Sequence, residues 1–306
     1  MRLPMKAIVL HEYGGPEKLK YEDVPDPVAG EGEVLVRVAA TSVNPIDYKL
    51  RSGSFKDFMP IEFPKILGND FSGIVRQVGA GVKGFAPGDK VMGVADASDA
   101  EVVAAKADAT ILVPEGLDLI QAASLPVVTM TGEQLISKGT GIQSGQTVLI
   151  TGAAGNVGRA AVRTAKKAGA IVIAGVRKAQ AKTAAELGVD EILALDDASA
   201  LEKLGFIDAV ADTVGGATAE KLMGKVKPGG VFASVVGPPA NAKMHPTVKV
   251  VAVVMHPDTT ALRSLAEDVV AGHLVIPIDR MVPLAEAGAA QAAAEKGGIG
   301  KVLLLA

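Results

Sequence analysis

Three glycines, at positions 152, 155 and 158, stand where an apolar run stops, in the stretch Gln146-Thr147-Val148-Leu149-Ile150-Thr151-Gly152-Ala153-Ala154-Gly155-Asn156-Val157-Gly158. Small residues at this spacing let main-chain N–H groups approach a diphosphate, whose charge is favoured by the positive end of the helix that follows. Gly158 lets that helix lie close to its strand. The candidate contacts to the anion are Gly152, Ala153, Ala154, Gly155, Asn156 and Val157. A glycine triplet alone also describes a strand-to-helix turn that holds nothing. The strand before it and the helix after it are what favour a dinucleotide.

Which dinucleotide is expected is read at the end of the next strand, where an acid would grip the ribose 2′-OH of NAD. The sequence there is Ala174-Gly175-Val176-Arg177-Lys178, with no carboxylate. Arg offers a planar fork and Lys a point charge, and both suit a 2′-phosphate. Gly175, Arg177 and Lys178 therefore join the candidate set, and NADP is preferred over NAD. The competing reading is two cations on the solvated start of a helix.

The elements that must position these residues follow from periodicity. From Met5 to about Val113, short β-branched runs are cut by Gly and Pro: Ala7–Leu10, Glu33–Val38, Ile74–Val78, Lys90–Val94 and Thr110–Val113. This is the pattern of a β-rich lobe. Beyond Gln121 the runs Thr147–Thr151, Ile171–Gly175, Glu191–Leu193, Ile207–Ala211 and Val231–Val236 alternate with helical stretches. That alternation is the mark of an α/β domain with a doubly wound parallel sheet. One helix starts near Asn156 and stops at Gly169; another runs from Lys178 to Leu187. The last fifty residues carry a helix with Leu262, Leu265, Ala266 and Val269 on one side, an Ala-rich helix from about Ala285, and a strand Lys301–Leu305. Period alone leaves open which domain this tail joins.

Composition sets the outer bounds. A chain of 306 residues is expected to form two domains, and 49% hydrophobic with 21% charged residues makes it globular. A net charge of −3 without a run of Lys or Arg argues against nucleic acid as a partner. No apolar run is long enough for a membrane span, and the stretch Ala7–Leu10 is too short for a secretory signal. Absence of cysteine excludes disulfides, thiolate catalysis and Cys-ligated zinc, and fits a cytoplasmic location.

The residues resemble the zinc-free quinone oxidoreductase branch of the medium-chain dehydrogenase/reductase superfamily. The resemblance rests on Gly14-Gly15-Pro16, Asn44-Pro45-Ile46-Asp47-Tyr48-Lys49, Leu67-Gly68-Asn69-Asp70-Phe71-Ser72-Gly73, Val78-Gly79-Ala80-Gly81-Val82 and Gly88-Asp89-Lys90-Val91. It continues through the glycine turn, Asp212-Thr213-Val214-Gly215-Gly216, Lys227-Pro228-Gly229-Gly230 and Gly300-Lys301-Val302, almost the whole chain in the family's order. It implies a GroES-like β-rich catalytic domain over residues 1–122, completed by 257–306, and a Rossmann dinucleotide-binding domain over 123–256. It further implies hydride transfer from NADPH to a small-molecule quinone or α,β-unsaturated carbonyl, without a metal. Where zinc-dependent relatives carry Gly-His-Glu, this chain has Gly68-Asn69-Asp70, and its histidines, at 11, 245, 256 and 273, are scattered.

By the same resemblance, Thr131 lies against the nicotinamide ribose, Val214, Gly215 and Gly237 belong to loops closing over the cofactor, and Lys301 completes the cofactor set. Thr131 read alone is also a helix cap, and the two glycines are also strand ends. Asn44, Asp47, Tyr48 and Lys49 are the catalytic-site candidates. Asn44, Lys49 or backbone N–H groups would donate to the acceptor oxygen, although Asn44 also suits a turn and Asp47 a cap. Tyr48, Phe55 and Phe58 are the candidates for an apolar acceptor pocket, whereas Phe71 and Phe85 read as core. Water is expected to supply the proton. The family's aromatic-bearing Gly-x-Tyr-Ala-Glu is replaced by Asp96-Ala97-Ser98-Asp99-Ala100-Glu101. That departure leaves room for a second class, a non-catalytic NADPH-binding sensor or scaffold. The family also implies a homodimer through the edge of the nucleotide-domain sheet, here Val248–Met255.

Overall fold

The computed structural model describes residues 4–298 and 300–306. The chain divides into two compact units, the first made of Met1–Val127, Pro257–Gly272 and Ile276–Ala306, the second of Val128–His256 and His273–Val275. The chain opens with β1 (Pro4–Leu10), β2 (Leu19–Pro25), β3 (Glu33–Ser42), α1 (Pro45–Ser52), β4 (Lys65–Ile66), β5 (Asp70–Val78), β6 (Lys90–Val94), β7 (Val102–Lys106), β8 (Thr110–Leu112) and α2 (Leu119–Ala122). It continues with α3 (Pro126–Gln134), a π-helical turn at Leu135–Thr140, β9 (Thr147–Thr151), α4 (Asn156–Lys167), β10 (Ile171–Val176), α5 (Ala181–Ala185), β11 (Glu191–Ala194) and α6 (Ala198–Lys203). There follow β12 (Ile207–Asp212), α7 (Gly216–Met223), β13 (Val226–Ser234), β14 (Lys249–Ala252), α8 (Thr259–Val270), β15 (Ile278–Pro283), α9 (Ala287–Glu295) and β16 (Lys301–Leu305).

In the second unit six parallel strands lie in the order β11-β10-β9-β12-β13-β14. The run Val148-Leu149-Ile150 shows why β9 is apolar throughout: Val148 and Ile150 face one core with Val172, Ala174, Ala211 and Ala161, while Leu149 faces another with Ile173, Val210, Phe232 and Leu222. Both faces of the sheet are covered, so strict alternation is lost. Each of the Val, Leu, Ile and Phe side chains among them contributes about 1.5–3 kcal/mol by leaving water. Helix α4 buries Ala160, Ala161, Val162 and Ala165, places Lys166 and Lys167 in its last turn, and is followed by Gly169 at φ +76°. The helix expected over Lys178–Leu187 is instead a 3₁₀ turn, Lys178–Gln180, followed by the five residues of α5.

The first unit holds a three-stranded sheet, β2-β1-β4, and a larger sheet ordered β15-β16-β3-β5-β6-β8, with β7 also pairing β3. Val34, Val36, Val38, Phe71, Val75, Val91 and Val103 form its main core. The chain's last strand settles the question of the tail. β16 pairs antiparallel with β3, Leu303 opposite Ser42 and Leu304 opposite Thr41, and its Val302 and Leu304 pack with Ile8, Leu284 and Ala290. On the other side of β3, Ser42 pairs with Asp70 of β5. Two strand pairings thus bring residues 42–44, 70 and 301 to one place.

Candidate functional site

The glycine turn is built as its spacing predicts. Gly152 takes φ +63°, Gly155 accepts no such strain at φ −78° and stands at the N-cap of α4, and its N–H donates to the Gly152 carbonyl at 2.8 Å. The first helical bond runs from the Arg159 N–H to the Gly155 carbonyl, 2.9 Å. The N–H groups of Asn156, Val157 and Gly158 therefore lie in the first turn, where a helix offers them no acceptor of its own. A Cβ on Gly158 would run into the Gly152 carbonyl oxygen and lie 2.7 Å from the Ala153 Cα. Only glycine allows this approach of helix to strand. Ala153 is buried and its N–H points to the Gly175 carbonyl, 3.4 Å, while Ala154 is half-buried. A Cβ on Gly155 would lie 3.1 Å from the Gly152 carbonyl oxygen, so glycine suits this position too, and the residues present fit a diphosphate.

Sequence reasoning passed over Arg159, whose Nε donates to the Ala154 carbonyl at 3.0 Å and so sets a half-buried positive charge beside the turn. Helix α3 packs on the same helix: a Cβ on Gly132 would lie 2.7 Å from the Ala160 Cβ. Thr131 sits well inside α3, not at its start, so the cap reading does not apply to it. Arg177 and Lys178 are exposed at the end of β10, Arg177 with its Nε 3.4 Å from Gln180 Oε1. A carboxylate absent from that strand end reaches it from the turn after β11, since the Lys178 N–H donates to Asp196 Oδ1 at 2.8 Å. Val214 is exposed, and Gly215 and Gly237 take φ +74° and +104°, conformations that a side chain would strain.

In the first unit the catalytic candidates part company. Asn44 and Asp47 are each 1% exposed and belong to a buried polar cluster with Thr41, Ser42, Asp70, Asp99 and Lys301. The Asn44 N–H donates to Asp47 Oδ2 at 2.7 Å, so Asp47 does cap the start of α1. Its other oxygen accepts from Asn69 Nδ2 at 3.0 Å. Both amide hydrogens of Asn44 are used, on the Ser42 carbonyl at 3.2 Å and on Asp70 Oδ2 at 2.7 Å. Lys301, 2% exposed, donates to Asn44 Oδ1 at 2.8 Å and to the Val43 carbonyl at 3.2 Å, and pairs with Asp70 at 3.3 Å. Ser42 Oγ also donates to Asp70, whose other oxygen takes the Val127 N–H at 2.7 Å. Asp99, 2% exposed, accepts from Thr41 Oγ1 at 3.0 Å.

Burial is the first cause that raises Asp47, to about 8, with the charges of Asp99 and Asp70 adding to it and Lys301 and the Asn44 N–H opposing. Burial likewise raises Asp99 to about 7, helped by Asp70 and opposed by the Thr41 hydroxyl. Tyr48 and Lys49 lie outside the cluster, on the half-buried side of α1, where Lys49 Nζ stands 4.8 Å from the Phe55 ring centroid. Phe55 meets Phe58 edge-on at 6.3 Å, and Phe58 is 74% exposed. Phe71 is fully buried and Phe85 packs against the same core, as expected of them.

The "Alcohol dehydrogenase GroES-like domain" family matches residues 30–115, and the "Zinc-binding dehydrogenase" family matches residues 187–304. Among curated proteins, the chain is 36% identical over 199 residues to the chloroplast envelope quinone oxidoreductase homolog of Arabidopsis thaliana, covering 62% of this chain and 60% of that one. It is 32% identical over 255 residues to 2-methylene-furan-3-one reductase of Solanum lycopersicum, covering 77% and 64%. The match thus spans about 60% of these relatives' length. Among solved structures, the quinone oxidoreductase from Coxiella burnetii superposes with a TM-score of 0.89 at 32% identity, covering 99% of this chain and 100% of that one. A mycobacterial protein solved in complex with NADPH superposes with a TM-score of 0.86 at 27% identity, covering 99% and 100%.

The fold combines a GroES-like β-rich domain with a Rossmann-like parallel-sheet domain. The chain belongs to the medium-chain dehydrogenase/reductase superfamily, in its quinone oxidoreductase-like branch. The zinc that the second family's description implies does not suit the donors present. Asn69 spends its amide on Asp47, the ammonium of Lys301 already faces Asp70, and the described residues contain no group of three His, Cys, Asp or Glu able to hold a metal. No described helix is long and apolar enough to cross a membrane.

Proposed function

We propose that this chain is an NADPH-dependent reductase that passes a hydride to a quinone or to the β-carbon of an α,β-unsaturated carbonyl, with no metal taking part. The observation that carries the reading is the glycine turn, in which both Gly155 and Gly158 stand too close to the Gly152 carbonyl for a side chain to fit freely and the first N–H groups of α4 are left without helical acceptors. The first N–H groups of α4 hold the diphosphate. Arg177 and Lys178 hold the 2′-phosphate, and Gly175 lies at the strand end that faces the adenosine. Thr131, Val214, Gly215 and Gly237 bound the nicotinamide end. The bound dinucleotide supplies the hydride. The side chains of the first unit orient the acceptor: Tyr48, Phe55 and Phe58 offer it apolar surface and Lys49 a donor for its oxygen. Asn44, Asp47 and Lys301 hold the start of α1 in place from beneath, and water provides the proton.

The turn at 96–98 favours a second reading. It carries no aromatic residue, and Ala97 stands at φ +63°, so a sensor that binds NADPH without turning it over is the alternative. NADPH oxidation followed by absorbance, with 1,4-naphthoquinone and with an alkenal, decides between them. Turnover of either acceptor supports the reductase; saturable NADPH binding with no turnover supports the sensor. A second copy of the chain is the proposed partner. β14 ends the six-stranded sheet, and Val254 beside it is 63% exposed. Sedimentation as a monomer at micromolar concentration would remove that part of the proposal.

A further inference from the structure

β12 sits between β9 and β13 in the parallel sheet and ends in a carboxylate with no exposed surface, Asp212. A buried carboxylate is costly unless its lone pairs are used. Here Oδ1 accepts from Thr151 Oγ1 at 2.8 Å, from the Gly215 N–H at 3.0 Å and from the Val214 N–H at 3.2 Å, and Oδ2 accepts from Ser234 Oγ at 2.8 Å. No cation pairs with it among the described residues. A second set of bonds closes around the first. Thr151 Oγ1 accepts the Thr213 N–H at 2.8 Å, Thr213 Oγ1 donates to the Thr151 carbonyl at 2.7 Å, and Ser234 Oγ accepts the Val236 N–H at 3.1 Å.

One carboxylate thus ties together the ends of three neighbouring strands and the loops that leave them. Those loops are the glycine turn, residues 213–215 and residues 235–237. The proposed function puts all three on the cofactor, and the inference rests on that reading. We propose that Asp212 is the positioning residue of the cofactor site. It sets the relative height of the diphosphate turn and of the two loops at the nicotinamide end, so that the whole dinucleotide meets one preformed surface. It makes no contact with the ligand. An acceptor-only group suits the task because two of its four partners are main-chain N–H groups, which can only donate, and the two hydroxyls accept N–H groups of their own and turn their hydrogens to it. An amide of the same shape would replace one acceptor oxygen by an NH₂ group and remove the charge, so the set could not be kept as it is.

The test uses Asp212→Asn and Thr151→Val in the full chain, with NADPH and adenosine 2′,5′-bisphosphate titrated by calorimetry. In the proposed mode the bisphosphate reaches neither 213–215 nor 235–237. Both variants are expected to weaken NADPH roughly tenfold or more, as misplacement of a site's supports does, while the bisphosphate binds as in the parent. NADPH affinity within about twofold of the parent in folded variants, or equal loss of both ligands, would overturn the proposal. Should Asp212→Asn fail to fold, Thr151→Val decides, since it removes one donor to Asp212, together with the acceptor of the Thr213 N–H, and keeps the carboxylate. A parent chain that binds neither ligand overturns the cofactor reading itself and this inference with it, whereas a loss confined to the variants leaves that reading intact.

Discussion

The ammonium of Lys301 lies 2.8 Å from Oδ1 of Asn44, a hydrogen bond between residues 257 positions apart. It exists because β16 pairs with β3 in one register, and that register sets a cation from the end of the chain against the start of the first helix. The same ammonium is the neighbour that balances Asp70, a carboxylate with no exposed surface.

Lys301→Met should therefore lower the unfolding free energy by about 3 kcal/mol or more, as loss of one partner from a buried pair does. Chemical denaturation measures it. A loss below about 1 kcal/mol would show that Asp70 does not depend on this cation.

The acidic pair of the same cluster predicts a pH response. Asp47 and Asp99 are raised from 3.8 to about 8 and about 7, burial leading in both. The folded chain then binds more protons than the unfolded chain from about pH 4 up to about pH 8. Their contribution is whole below the unfolded value and is lost as pH rises through the folded values, so the melting temperature should fall across that window. Asp99→Asn should flatten the fall. An Asp99→Asn profile parallel to the parent's would contradict the account.

Much of the fold was legible because burial on both faces leaves an unbroken apolar signal. Thr147–Thr151 was read with the bounds it has, and Lys90–Val94 likewise. Leu19–Pro25 and Ile278–Pro283 were missed because their side chains, Lys20, Glu22, Asp279 and Arg280 among them, face water and leave no alternation to detect. At the site, the glycine turn is local and shows itself within a dozen residues. The cluster of Thr41, Asp70, Asp99 and Lys301 is made by strand pairing, and only an acid set into an apolar strand, as at Asp70, hinted at it. Asp212 carried the same hint, an acid closing the apolar run Ile207–Ala211, and was read only as part of a motif.

Gly158 gives a prediction about packing. Gly158→Ala puts a methyl group against backbone atoms of Gly152 and Ala153, which cannot yield as a flexible side chain would. A loss of about 2 kcal/mol of stability is expected. An unchanged denaturation midpoint would mean that strand and helix stand further apart than described.

Arg177→Asp reverses charge at the exposed end of β10, where Asp196 already supplies one carboxylate. The ratio of NADPH to NADH affinity should fall at least about tenfold, the loss of roughly one charge-assisted hydrogen bond. An unchanged ratio would place the 2′-phosphate elsewhere.

The central claim is that a dinucleotide's diphosphate rests on the turn at 152–158, and a calorimetric titration of NADPH into the parent chain and into Gly155→Asp tests it most directly. Gly155 has the backbone angles of an ordinary residue, and a Cβ there would meet one atom within 4 Å, the Gly152 carbonyl oxygen at 3.1 Å, so the added carboxylate asks a small shift of the turn and brings a full negative charge to the anion site. The account predicts single-site binding to the parent and loss of at least about a hundredfold in the variant, from like charges brought together with little water between them. Equal binding by both chains, or binding by neither, would contradict it.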